Sequence, residues 1–438
     1  MPRIPDIPGS LIPGRSDQER WLRQHVARLC QLDHERFPGS QPVSFSTNDI
    51  EKLESQDYWV CEKSDGVRVL LLVQTDSQTK AQSVYLIDRH NTYREVAGLF
   101  FPHHENPINP LRNTLVDGEL VIDVDPRTKQ ETLRFLAFDC LVVDDQNVMS
   151  RTLDKRYGRL QAWFHKPYSK MLQDHPQVRQ AQPFEIKVKD VQASYNVDQV
   201  FERDIPNLQH GNDGLIYTCV NTPYTSGTDP NILKWKPPSE NSIDFKLVLR
   251  FPPLPEKPSL PDYCAKPIFQ LHTWCGGKDY ALYDVMEVSD EEWESMKASG
   301  EQMDDRIVEV HWDTSVKGWR MMRFRDDKPN GNHQSVVDNI IKSIADGVEK
   351  DNLLAHSNSI RNAWKTRQSQ VSSLPPPPLL PSKPPPLLQS GYGQPPTPLS
   401  HRPSIPERIP DVKAKYGPLG SSPWSKVAGP AMVAGMYR

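Results

Sequence analysis

Proline sets the first limit on what this chain can fold into. Seventeen of its 42 prolines lie between Val371 and Arg438, in runs such as PPPPLLPSKPPPLL. Proline fixes φ and removes a backbone donor, so 371–438 cannot build helical or sheet ladders and reads as a disordered or polyproline-like tail. Folding falls to the first 370 residues, enough for two or more cores. The same division separates charge. The tail carries seven Lys or Arg against two Asp or Glu, leaving the body at −9 within a total of −4. A basic tail on an acidic body suits docking to an anionic partner, and a solvated linker has the same composition.

Within the body, strand patterns dominate. YWVCEKSDGVRVLLLVQ reads as an apolar strand, a polar turn and a second apolar strand, and SVYLIDRHNTYREV as a further strand pair. NTLVDGELVID, LRFLAFDCLVV, HGNDGLIYTCV and NILKWKPP continue in this manner. Helices are few. Ser16 to Leu32 has a Ser16 cap with Glu19 three residues on and a Leu22, Val26, Leu29 stripe. LDKRYGRLQAWFHKPY places Leu153, Tyr157, Leu160 and Phe164 on one side. The expectation is an α+β fold with an antiparallel-leaning domain over 1–242.

After a proline-dense loop, short strands resume at IFQLHTW, DYALYDVME, RIVEVHWD and GWRMMRFRDD. One helix, SDEEWESMKASG, interrupts them, with Ser289 as cap, Glu292 completing the box and Gly300 as terminator. This pattern over 243–330 predicts a small barrel of the oligonucleotide-binding (OB) type, with Trp274, Trp293, Trp312 and Trp319 in its core. Residues 331–370 read as a helical segment, Val337, Ile341 and Ile344 facing inward, that packs back on the body.

Several classes are excluded as expectations. Six cysteines are scattered without a C-x-x-C pair, which indicates neither a zinc site nor a redox dithiol. The proline-bearing N-terminus lacks a secretory apolar run, and nothing approaches the roughly 20 apolar residues of a membrane helix. A soluble, intracellular protein with no membrane partner is expected. His103 and His104, beside Glu105, read as surface residues, because no third ligand sits at useful spacing.

The chemistry begins at EKSDGVR, residues 62–68. A lysine attacks only as the free amine, and burial with neighbouring cations favours that form. Asp65 could orient the ammonium, Gly66 permits a tight turn, and Arg68 can fork onto a ribose or phosphate oxygen. Such a set suits amine attack on an α-phosphate with pyrophosphate leaving. Alone, K-x-D-G arises by chance in about one chain in ten of this length, so by itself a charged hairpin is the better reading. The other motifs change that. VDGEL brings Asp117, Gly118 and Glu119 to a strand turn, and NDGLIY brings Asp213 and Gly214 in the same way. LKWKP puts Lys234 and Lys236 on one face of a strand, with Trp235 inward, although an exposed edge strand would look similar. A nucleophilic amine, carboxylates for a divalent cation and cations for phosphates are what nucleotidyl transfer requires.

In this order the motifs KSDGVR, LIDRHNTY, LVDGEL, FLAFDCL, DGLIYT and LKWKP resemble those of the covalent nucleotidyltransferase superfamily. Within it the chain is similar to the messenger-RNA capping guanylyltransferases, in particular the separate subunit found in fungi. The resemblance spans roughly residues 40 to 345. WRMMRFRDDKPNGNH looks like the capping-type R-x-D-K ending, which, with LIDRHNTY, separates it from ATP-dependent polynucleotide ligases. A relic of the fold that only binds nucleic acid is disfavoured by the intact Lys63, Glu119, Lys234 and Lys236.

The resemblance implies that Lys63 attacks the α-phosphorus of GTP to form lysyl-GMP. The GMP then passes to the 5′-diphosphate end of nascent RNA, making the GpppN cap. It implies that Arg68 and Glu119 hold the ribose and nearby phosphate, and that Lys234 and Lys236 contact the α-phosphate. Asp213 would help bind Mg2+ or Mn2+, and Asp244 matches a functional acid also assigned to metal. Arg325, Asp327 and Lys328 would come from the barrel to the outgoing pyrophosphate on closure. Phe138 would stack on guanine, Lys189 would read its O6, and Arg89 would contact phosphate. Also implied are a separate RNA 5′-triphosphatase subunit in a heteromer, docking to the phosphorylated tail of RNA polymerase II, and residence in the nucleus.

Overall fold

The structure is a computed structural model that describes residues 4–313 and 315–372, with a strand pair at Met432–Val433 and Met436–Tyr437. The rest of the proline-rich tail expected to be disordered lies outside the described residues. Two compact units are present, and the chain passes between them at Lys236/Pro237 and at Glu349/Lys350.

The first unit holds two sheets. The larger runs in the order β1 (Ser10–Leu11), β6 (Tyr93–Val96), β5 (Gln82–Asp88), β4 (Val67–Thr75), β7 (Thr114–Val124), β8 (Glu131–Val143) and β10 (Glu185–Val188), with β9 (Gln146–Asn147) also on β8. The smaller runs β11 (Gln192–Ala193), β3 (Tyr58–Ser64), β12 (Asn212–Cys219), β13 (Gly227–Trp235), β2 (Ser40–Ser44). Most pairs are antiparallel, while β8–β10 and β2–β13 are parallel.

The unbroken apolar run in β4 follows from burial on both faces. Val69, Leu71 and Val73 join one core with Phe101, Phe164 and Tyr168. Leu70 and Leu72 join another with Leu22 and Val26 of the helix Asp17–Cys30. That helix is capped by Ser16 as expected, but the Glu19 carboxylate accepts from the Arg15 amide rather than closing a box on Ser16. Leu153, Tyr157, Leu160 and Phe164 all turn inward.

The strands on either side of Asp65–Gly66 do not pair with each other. β3 belongs to the small sheet and β4 to the large one, so the turn is a crossing between sheets and not the hairpin that its composition alone favours. Gly66 is required there by close approach: a Cβ would lie 2.2 Å from the Leu120 carbonyl oxygen of β7. The expectation of strand turns at VDGEL also changes, since Asp117 to Glu119 lie mid-strand in β7. LKWKP is not an edge strand, because β2 covers β13 on its far side.

The second unit contains a closed barrel in the order β14 (Ser242–Arg250), β17 (Ile268–Gly276), β18 (Asp279–Met286), β20 (Gly318–Phe324), β19 (Ile307–Asp313). The proline-dense loop forms a small strand pair, β15 (Pro253–Leu254) with β16 (Lys257–Pro261). The helix Asp290–Ser299 has the full Ser289/Glu292 capping box and a left-handed Gly300. Trp293 and Trp319 are core residues, whereas Trp274 and Trp312 are only partly buried.

The helical segment expected over 331–370 is two helices. Gln334–Ala345 buries Val337 and Ile341 in the barrel core, with Ile344 against it. Lys350–Ser372 belongs to the first unit, where Arg367 pairs with Asp57 at 2.6 Å and Trp364 meets Tyr195. The break falls at Asp346–Gly347, where Gly347 sits so close to Ser343 O and Pro238 that a Cβ would clash with both.

Candidate active site

The two sheets of the first unit enclose a cavity of about 310 Å³. Arg68, Glu119 and Phe138 line it from the large sheet, and Lys63, Ile216 and Lys234 from the small one. The volume lies at the lower end of the range for small-molecule sites.

Lys63 is placed by a β-bulge. The β3–β12 register pairs Ser64 with Asn212 and Glu62 with Leu215, so Asp213 and Gly214 together face Lys63. Gly214 is at φ +137°, and a Cβ there would lie 2.0 Å from the Trp235 carbonyl oxygen. The bulge delivers Asp213 Oδ1 to 2.5 Å from Lys63 Nζ, and the other carboxylate oxygen pairs with Lys236 Nζ. The orienting acid is therefore Asp213 and not Asp65, whose amide binds the Gly211 carbonyl. Burial works to raise the Asp213 carboxyl, but the hydrogen bonds from Lys236 and Lys63 outweigh it and hold it below the usual range.

Lys234 completes a cluster of three cations. Burial first, then Lys63 and Lys236, push its ammonium below the ordinary lysine value. Such a group has most to gain from a phosphate arriving beside it. Glu119 is shifted the other way. Burial raises its carboxyl against the pull of Lys189, Lys63 and Arg68, and the Gly66 amide donates to it.

Arg68 arrives preorganised. Its Nε and Nη2 donate to the two oxygens of Asp117 at 3.0 and 2.6 Å, Nη1 donates to the Ser40 carbonyl, and Nη2 also reaches Tyr224 Oη at 3.4 Å. Of five N–H groups one remains for a ligand. The guanidinium carbon lies 5.6 Å from the Phe138 ring centroid. Asp117 is fully buried and also accepts from Tyr224 Oη at 2.5 Å. Its oxygens are thus consumed, which removes it from the carboxylates expected for a cation and makes it the anchor of Arg68. Below Phe138, Asp139 forms a buried bidentate pair with Arg156 at 2.9 and 2.8 Å.

Lys189 lines the cavity with its ammonium 3.1 Å from Glu62 and donating to Ser64 Oγ at 2.8 Å. Arg89 is exposed in the turn after β5, outside the cavity lining. Asp244, Arg325, Asp327 and Lys328 form a separate cluster on the second unit. Arg325 meets Asp327 at 2.8 Å through two bonds and reaches Asp244 and Glu309 at 3.3 Å, while Lys328 pairs with Asp244. The two Asp244 oxygens serve these cations, so it holds the motif together instead of offering itself to an ion. Arg325 holds the exposed Asp327 carboxyl down to about 2.

His103 and His104 are more enclosed than surface residues. Asp144 supplies a third group near them, with His103 Nε2 3.2 Å from it and His104 stacked on Trp163. Both Asp144 oxygens are already taken by Arg112 at 2.9 Å, and His103 Nδ1 accepts from two backbone amides, so the cluster reads as a structural lock. Sequence reasoning also missed Tyr224, Ser40 and His210; each lies far along the chain from what it touches, and no local motif marks it.

A nucleotide-sized slot between two sheets, with a bulge-held lysine, two further lysines and a clamped arginine, defines a nucleotidyltransferase. The family described as mRNA capping enzyme, catalytic domain, matches residues 5–238, and the mRNA capping enzyme C-terminal domain matches residues 240–354. The mRNA-capping enzyme subunit alpha of Neurospora crassa is 40% identical over 385 residues, covering 83% of this chain and 95% of that protein. Those of Schizosaccharomyces pombe and Yarrowia lipolytica are 41% and 42% identical over 83% of this chain, covering 89% and 92% of their own lengths. The chain belongs to the mRNA capping enzyme family and is a GTP:RNA guanylyltransferase.

Proposed function

We propose that Lys63 carries guanylyl transfer as the covalent nucleophile. Its ε-nitrogen attacks the α-phosphorus of GTP. The new P–N bond replaces the bond to the bridging oxygen, pyrophosphate leaves, and the nitrogen gives up two protons, one to free its lone pair for attack and one as the P–N bond forms. A β-phosphate oxygen of 5′-diphosphate RNA then attacks the same phosphorus. That breaks the P–N bond, returns a proton to Lys63 and leaves the GpppN cap. The observation that carries this reading is the bulge that sets Asp213 between Lys63 and Lys236.

Around it, Lys234 and Lys236 take the α-phosphate, and Arg68 and Glu119 the ribose and adjoining phosphate. Phe138 offers an aromatic face to the base, opposite Ile216 on the other sheet. Lys189 reads guanine O6 with the proton left after Glu62 and Ser64 are served. Arg325 and Lys328, held by Asp327 and Asp244, are assigned to the outgoing pyrophosphate. Arg89 is left as a phosphate contact at most of the entering substrate.

Mg2+ or Mn2+ fits the donor set. Glu119 is a hard oxygen donor lining the cavity, and Asp213 joins it once Lys63 and Lys236 turn from its two oxygens to phosphate, which with water suits such an ion. When bound it would neutralise phosphate charge and polarise the α-phosphorus. Because the relatives are named as alpha subunits, this chain is assigned a partner subunit, an RNA 5′-triphosphatase, that prepares the diphosphate end. Docking to the phosphorylated tail of RNA polymerase II and residence in the nucleus complete the reading.

The test uses α-labelled GTP with divalent cation, followed by a denaturing gel. Lys63→Ala should take up no label, and Lys236→Ala should lose at least about 100-fold in labelling rate. Residual label in Lys63→Ala would place the nucleophile elsewhere.

A further inference from the structure

Beneath Lys63 lies a buried polar chain that the transfer chemistry does not use. Asp123 Oδ1 is 2.6 Å from His210 Nδ1, and His210 Nε2 is 3.3 Å from Ser64 Oγ. Ser64 Oγ is 2.8 Å from Lys189 Nζ, which is 3.1 Å from Glu62. Asp123, Ser64, Lys189 and Glu62 are each more than nine-tenths buried, as is the His210 side chain. Buried polar chains of this kind hold one geometry only when every member is satisfied.

Proton bookkeeping gives the chain a direction. A carboxylate only accepts, so Asp123 requires the proton on His210 Nδ1. Burial pushes the imidazole below the ordinary histidine value, which leaves Nε2 as an acceptor. Ser64 is the hydroxyl within reach of that lone pair. Its single proton can go to His210 or to Glu62, both 3.3 Å away, and Glu62 already receives Lys189. With the Ser64 proton on His210, the hydroxyl lone pairs turn to Lys189. Two of the three Lys189 protons are then fixed, on Ser64 and Glu62, and a tetrahedral ammonium with two bonds fixed has its third direction fixed as well.

We infer that His210, oriented by Asp123, is a positioning residue for base selection: through Ser64 it aims the free Lys189 proton at the purine. The inference rests on the reading of Lys189 as the group that meets guanine O6. His210 lies outside the cavity lining, and its partners are Asp123, Ser64 and Glu62, not Lys63, Asp213 or Lys236.

The experiment compares GTP with 2-aminopurine riboside triphosphate, which lacks the O6 acceptor and carries N1 as an acceptor in place of a donor, in steady-state lysyl-nucleotide formation by the full chain. His210→Ala should raise the KM for GTP about ten-fold with kcat within about two-fold, and lower the GTP preference by a similar factor. His210→Gln, whose amide can donate to Asp123 and accept from Ser64, should restore most of that preference. Ser64→Ala should give the same loss, and the double variant should lose no more than either single change. Should His210→Ala fail to fold, Ser64→Ala and His210→Gln carry the comparison. Lys189→Met separates the two layers. If it leaves the preference intact, the assignment of Lys189 fails and the inference with it. If it abolishes the preference while the His210 and Ser64 variants keep it, or lose kcat instead, the assignment stands and the positioning role of His210 is overturned.

Discussion

Asp213 faces Lys63 across a β-bulge, its Oδ1 2.5 Å from the lysine Nζ, and its second oxygen holds Lys236. One carboxylate thus gathers two of the three cations that must later turn to phosphate. Replacing it with a neutral amide leaves those ammoniums to repel one another. Asp213→Asn should slow lysyl-GMP formation about 100-fold or more at saturating GTP. Single-turnover labelling checks this; a change confined to KM would assign Asp213 to binding alone.

The bulge itself is expected to be intolerant. Gly214 combines φ +137° with a Cβ position 2.0 Å from Trp235 O. Gly214→Ala must strain the backbone or part β12 from β13, at a cost of about 2–4 kcal/mol. Urea unfolding followed by tryptophan fluorescence measures it, and an unchanged midpoint would show that the bulge relaxes freely.

Asp117, the counter-charge of Arg68, is wholly buried. Asp117→Ala leaves a largely buried guanidinium without its counter-charge and takes away the acceptor of the Tyr224 hydroxyl proton. A loss of about 3–5 kcal/mol is expected. Arg68→Met/Asp117→Leu should recover part of that stability while remaining unable to label with GTP, which separates fold from chemistry.

The pH dependence of the Asp213 ion pairs has a defined sign. The folded carboxyl titrates below its ordinary value of 3.8. Its contribution to stability is therefore fully present above about pH 4–5 and is lost as pH falls below 3.8 through the folded value. The stability difference between the parent chain and Asp213→Asn should be flat from pH 5 to 8 and shrink only in stronger acid. A difference that grows towards low pH would contradict the pairing.

Much of this was legible in the chain because its signals are local. The Ser289 cap, its Glu292 partner and the Gly300 terminator lie within twelve residues and appear as read. The motif residues Lys63, Arg68, Glu119, Phe138, Lys189 and Lys234 do line one cavity. What escaped is set by tertiary pairing. KSDGVR has the composition of a hairpin, and only the placement of β3 beside β12, some 150 residues away, makes it a crossing between sheets. Asp117 looks like any acid beside a glycine until Arg68 consumes it. Nothing near His210 announces Asp123, which lies 87 residues earlier. The helical character of 331–370 is legible, but the break at Gly347 is set by its crowding against Ser343 O and Pro238.

The central claim is that guanylate resides on the Lys63 ε-nitrogen between the two half-reactions. The most direct measurement is peptide mass spectrometry after incubation with GTP and divalent cation, without RNA and with pyrophosphatase to draw the first step forward. The account predicts an acid-labile GMP adduct on the peptide containing Lys63, lost again when diphosphate-ended RNA is added. An adduct on another residue, or an unmodified Lys63 peptide in a preparation that forms caps, would contradict it.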